Sequence, residues 1–159
     1  MSQAVESGFD DVIQWVTFKL DSEIYGIRVM QVQEVLRVSE IAPVPGAPSY
    51  VMGIINLRGN VVTVINTRSR FGLSLNETND DDTRIVILES EDNVVGILVD
   101  SVAEVVDLKR DQIETSPNVG NDESSKYIEG VATLEGELLI LIDINKLLTD
   151  EEWSEMDGF

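Results

Sequence analysis

Residues 50–65 read YVMGIINLRGNVVTVI, and this stretch decides the fold. An apolar run meets a polar break at Asn56–Asn60, and a second apolar run follows from Val61 to Ile65. Two β-branched segments joined by a short loop with a glycine predict a β-hairpin, because glycine tolerates the positive φ that tight hairpin turns need. The pattern returns at 127–142 as YIEGVATLEGELLILI, an offset of 127 − 50 = 77 residues. Tyr50/Tyr127, Gly53/Gly130, Leu57/Leu134, Gly59/Gly136 and Ile65/Ile142 are identical at that offset, whereas Arg58 at the first tip becomes Glu135 at the second.

Working outward, YGIRVMQVQEVLRV at 25–38 matches VGILVDSVAEVVDL at 95–108 at an offset of 70 without a gap. Gly26/Gly96, Ile27/Ile97, Val29/Val99, Val32/Val102, Glu34/Glu104 and Val35/Val105 coincide. The change of offset requires a longer second connector, and Lys109–Lys126 supplies it, polar and carrying Pro117, Gly120, Asn121 and Asp122. Asn66 recurs as Asp143, both suited to cap a helix. The chain therefore reads as an internal duplication of a unit of about five strands and a terminal helix. Short strands with many turns predict an all-β fold of two small five-stranded antiparallel barrels.

In order, 1–12 reads as a mobile N-terminal tail and 13–75 as the first barrel. Within it Trp15–Leu20 and Ile24–Val29 form a hairpin, and Val32, Val35 and Leu36 at i, i+3, i+4 predict about one helical turn. Pro43, Pro45 and Pro48 make the next segment an extended connector. After the central hairpin, Asn66 caps a short helix, Thr67–Phe71, stopped by Gly72. Residues 76–83 form an acidic linker, 84–150 the second barrel with a C-terminal helix through Lys146–Leu148, and 151–159 an acidic tail. Units of about 65 residues bury too little surface to be stable alone, so a shared core is expected. Exchange of strands between the two units stays open.

Net charge is −19, and residues 76–159 carry 23 acids against 5 bases, −18 of that total. Such a field repels nucleic acid and anionic lipid, and most of these acids read as solvated surface. An acidic mimic of nucleic acid would need regularly spaced carboxylates, and charge alone does not select that function. There is no apolar run long enough to span a membrane. Met1–Asp11 bears Glu6, Asp10 and Asp11, the wrong charge for a secretory leader. With no cysteine there is no disulfide framework, which fits a cytoplasmic protein.

The inventory for catalysis is thin. Without histidine or cysteine, the usual neutral-pH acid–base group and the Ser–His and Cys–His nucleophiles are missing. No phosphate loop occurs, and Asp80–Asp82 lacks the alternate spacing and glycine of a calcium loop. No enzyme, cofactor or metal site is expected. Recognition remains. Arg58 at a hairpin tip is a fork-shaped donor for a carboxylate or carbonyls, or else merely an exposed charge. Glu34 recurs in both copies and reads equally as repeated surface or as a contact. Val32 and Val35 also recur, more often the mark of a core than of an interface, although a groove between two barrels would expose some of them.

The order YGI-x-V-x-x-V-x-EV (25–35), GI-x-NLRG (53–59) and VGI-x-VD-x-V-x-EV (95–105) resembles the CheW family of bacterial chemotaxis coupling proteins, from Trp15 to about Glu152. The resemblance implies two SH3-like five-stranded barrels around a common core, without enzymatic activity. It implies an adaptor between the cytoplasmic tips of methyl-accepting chemoreceptors and the regulatory domain of the histidine kinase CheA. A related non-flagellar receptor–kinase pathway would use the same design. The residues it implicates in receptor docking are Val32, Glu34, Gly53 and Arg58. Ile41 and Val44 correspond to a kinase contact, and Val119 to a further array contact. The implied location is the cytoplasm, at membrane-associated receptor arrays.

Overall fold

A computed structural model describes residues 12–38, 40–70, 81–90, 93–114, 127–148, 151–152 and 154. The first copy contributes β1 (Val12–Leu20), β2 (Glu23–Arg28), β3 (Val32–Arg37), β4 (Val51–Leu57) and β5 (Asn60–Ile65). The second contributes β6 (Arg84–Ser90), β7 (Asn93–Val99), β8 (Ser101–Lys109), β9 (Ile128–Leu134) and β10 (Glu137–Ile142). One short helix, α1 (Thr67–Arg70), follows β5, and 3-10 turns cover Val29–Gln31, Arg110–Gln112 and Ile144–Lys146.

The two five-stranded sheets do not follow the two halves of the chain. One has the order β8-β1-β2-β10-β9 and the other β3-β6-β7-β5-β4. With β1–β5 matched to β6–β10, the orders are identical, so the sheets are related by a pseudo-two-fold exchange of their first hairpins. The division at 13–75 and 84–150 thus separates the copies but not the sheets. Connection length explains the exchange at the crossover from β7 to β8. Only Asp100 separates β7 from β8, and only Val29–Gln31 separates β2 from β3. A single residue cannot reverse a chain into a neighbouring antiparallel strand, which needs at least a two-residue loop, so the chain crosses to the other sheet. The copies meet at β1–β8 and β3–β6, and at one parallel pair per sheet, β2 with β10 and β5 with β7.

Three apolar clusters follow from this exchange. The largest joins the sheets, with Phe18, Leu20, Ile27 and Ile142 from one packed on Ile65, Val86, Leu88 and Ile97 from the other. Tyr50 and Tyr127, equivalent residues, are buried in it together with Ile144, Leu147 and Leu148. Each sheet also has an interior of its own, around Trp15, Leu108 and Leu141 in one and Val64, Ile85 and Ile87 in the other. The common core expected of two small units is this first cluster.

Three local expectations are corrected. Val32–Leu36 is not a helical turn but part of β3, whose side chains alternate between half-buried and exposed, the two-residue period of a strand. Lys146–Leu148 lies not in a helix but at a 3-10 turn, Ile144–Lys146, with Asp143 Oδ1 accepting from the Asn145 N–H at 3.0 Å, and helical backbone follows at 151–152 and 154. Ile144, Leu147 and Leu148 are pinned in the shared core, so packing rather than helix propensity sets the backbone there. Val12, placed in the tail from sequence, already belongs to β1. The rest of the tail and residues 76–80 lie outside the described residues.

Candidate functional site

Arg58 and Gly59 form the two-residue tip between β4 and β5, with φ of +52° and +88°. Positive φ at both central positions is the type I′ geometry whose twist matches a hairpin. The turn is held by the Gly59 N–H, which donates to Asn56 Oδ1 at 2.9 Å. An arginine in left-handed backbone is uncommon, so the tip trades some conformational energy for the side chain it presents. That side chain turns toward β3, the opposite edge of the sheet order, and its guanidinium binds both carboxylate oxygens of Glu34, one at 3.3 Å. The ion pair therefore links the two edges of one curled sheet. It leaves 67% of the Arg58 side chain exposed and 25% of Glu34. Gln33, Glu34, Leu57, Arg58 and Asn60 line an open depression of about 370 Å³ beside it.

Val32, on the half-buried face of β3 with Glu34, packs against the shared core where the sheets meet. Val35, on the outward face, is exposed. Gly53 is buried. A Cβ there would lie 2.4 Å from the Ala42 carbonyl oxygen and 2.7 Å from Ile41 Cγ2. Ala42 crosses β4 at this point and exchanges two backbone hydrogen bonds with Ile54, at 2.9 and 2.8 Å. Gly130 repeats the arrangement under Ile113 and Glu114, with Glu114 bridged to Val131. The chain leaving β3 thus closes over β4 on the far edge. Ile41 and Val44 ride on this crossing segment, both half-buried, and Val44 opens a turn in which its carbonyl accepts from the Ala47 N–H at 3.1 Å. Gly46 takes φ +82° in that turn, as a Pro-Gly pair favours. Val119 lies outside the described residues.

One polar cluster was not foreseen. Arg68 on α1 pairs with Asp21, in the β1–β2 turn, and with Asp100 at 2.6 Å, in the crossover from β7 to β8. Asp100 Oδ2 also accepts from the Asp21 N–H at 2.8 Å. Burial disfavours the Arg68 charge, but hydrogen bonds to Asp100 and Asp21 outweigh it and hold the guanidinium above its ordinary pKa. The cluster ties the first hairpin of one sheet to the end of the other. At the end of the β1–β2 hairpin away from the Asp21 turn, Arg28 pairs with Glu129 and lies 5.5 Å over the Trp15 ring.

These features define a class: a pseudo-symmetric pair of small β units whose distinctive surface is a hairpin-tip ion pair and a crossing connector. The sequence model of the CheW-like domain matches residues 14–152. The chain is 36% identical over 150 residues to the chemotaxis protein CheW of Treponema pallidum, covering 92% of this chain and 88% of that protein. It is 35% identical over 136 residues to that of Bacillus subtilis, covering 86% of each. The crystal structure of the scaffolding protein TtCheW from Thermoanaerobacter tengcongensis superposes with a TM-score of 0.78 at 33% identity, covering 85% of this chain and 91% of that one. The chain belongs to the CheW family of chemotaxis scaffold proteins, a family of adaptors and not of enzymes. Among the described residues, no helix is long and apolar enough to cross a membrane.

Proposed function

We propose that the protein couples chemoreceptors to the histidine kinase CheA, working in the cytoplasm at membrane-associated receptor arrays. The receptor's helical cytoplasmic tip docks at the seam of the two sheets, beside Val32, Glu34 and Arg58. The observation that carries this reading is the Arg58–Glu34 pair: it fixes a largely exposed guanidinium at the mouth of an open depression, with half-buried Val32 two residues from Glu34 on the same face of β3. A pre-positioned fork can bind a carboxylate or helix carbonyls at little cost in side-chain ordering. Gly53 contributes indirectly, by letting the connector close over β4. The same connector carries Ile41 and Val44 to the kinase regulatory domain, and Val119 serves the further array contact. Holding two weak interfaces on one rigid body raises the kinase's effective concentration at the receptor and fixes their orientation. Receptor state then biases the kinase through geometry, with no chemistry in the adaptor.

Calorimetric titration of a receptor cytoplasmic fragment tests the assignment. Arg58→Glu is expected to weaken docking by about 2 kcal/mol, roughly thirty-fold, as for a central anchor. Unchanged affinity in a folded variant overturns the role of Arg58.

A further inference from the structure

The pseudo-symmetry carries a second site. The position equivalent to the Arg58–Glu34 depression lies on the other sheet, where Glu135 stands for Arg58 and Glu104 for Glu34. Glu135 keeps the same strained backbone, φ +53° followed by Gly136 at +83°. There Glu104, Glu135 and Glu137 share a groove of about 220 Å³ with a single base, Lys19. Leu134, Leu138 and Leu139 contribute its apolar wall, and Leu138 is 52% exposed. Among the described residues these three carboxylates make no ion pair, whereas Glu34 in the first copy is capped by an arginine. Three carboxylates against one base leave the groove with an excess of negative charge that a cation from outside can balance.

We infer that this groove docks a basic, apolar segment of a protein partner, one arginine taking the place that Arg58 occupies in the other copy and an adjacent leucine-sized side chain covering Leu138. Arginine is favoured over lysine because the equivalent carboxylate, Glu34, already receives a guanidinium fork through both oxygens. The site lies on the sheet opposite the Arg58–Glu34 pair and is independent of the receptor docking proposed there.

The test is a titration of the isotopically labelled full chain, followed by amide resonances, with Ac-Leu-Arg-Leu-Arg-Leu-amide and its glutamine-substituted counterpart. The arginine peptide is expected to move the resonances of Glu104 and Leu134–Leu139 but not those of Glu34 and Arg58. It is expected to bind at least about tenfold tighter than the glutamine peptide. Glu135→Arg, which reproduces the side chain already accepted at this backbone geometry in the first copy, should supply the cation internally and abolish binding. Glu104→Gln should weaken it. Equal shifts from both peptides overturn the inference. So do shifts scattered over the acidic surface, binding unaltered by Glu135→Arg and Glu104→Gln, or full competition by spermidine at equal concentration.

Discussion

Replacing Gly53 by alanine probes the crossing that closes one sheet. The added Cβ would sit 2.4 Å from the Ala42 carbonyl oxygen, 2.7 Å from Ile41 Cγ2 and 3.0 Å from the Ala42 carbonyl carbon. Ordinary contact needs more than 3 Å, and the nearest atom is backbone, so the connector must lift off β4. Lifting it breaks the two Ala42–Ile54 hydrogen bonds, each worth about 1 kcal/mol net. Residual overpacking adds about 1–3 kcal/mol, and the stiffer unfolded chain returns about 0.4–1 kcal/mol. The expected net loss is about 2–5 kcal/mol. Gly130→Ala is the internal control: its nearest contacts are 2.9 Å, so a loss smaller by about 1 kcal/mol or more is expected, since less movement relieves the clash. Urea unfolding of both variants measures the two losses, with hydrogen exchange at the Ala42 and Ile54 amides as the local readout. A Gly53→Ala protein within about 0.5 kcal/mol of wild type, with those amides still protected, would refute the reasoning.

Arg68→Ala leaves Asp21 and Asp100 without their shared cation in a partly buried site, and a loss of about 1–3 kcal/mol in chemical unfolding is expected. Because that guanidinium is only 14% exposed, the loss should persist at high salt, unlike that of a surface pair. Arg58→Ala should cost at most about 1 kcal/mol of stability, since the Arg58 side chain is 67% exposed; a much larger loss would assign the pair to folding instead of docking. At alkaline pH, Tyr25 matters: burial, then the charges of Glu23 and Asp21, push its phenol up from 10.0 to about 12. The folded state therefore favours the neutral phenol. Its contribution is fully present below pH 10 and disappears as pH rises to about 12, at most about 3 kcal/mol for a two-unit shift. Stability measured across that range should fall less steeply in Tyr25→Phe.

The duplication and the hairpin at 50–65 were legible because each rests on local pattern: β-branched runs, a Gly-containing tip and identical spacing. Which strands share a sheet was not. That follows from the single residue between β7 and β8, a length constraint that matters only once strand ends are known. The Val32, Val35, Leu36 spacing misled because half-buried and exposed valines on a strand edge mimic a helical stripe over so short a span. Glu34 and Arg58 could each be singled out, yet their contact depends on the sheet curling until β3 meets the β4–β5 tip. The Arg68 cluster was illegible for the same reason: Asp21 and Asp100 lie 79 residues apart and meet only through the exchanged hairpin. That the connector packs onto Gly53 was not legible either, because Ala42 meets β4 only once the chain leaving β3 has crossed to the far edge.

Coupling is tested most directly by sedimenting receptor-containing membranes with the kinase regulatory domain, with and without this protein. The account predicts that the regulatory domain pellets with the membranes only when the protein is present, and that Arg58→Glu releases both together. If the regulatory domain stays in solution with wild-type protein present, or pellets equally well without it, the coupling role is wrong.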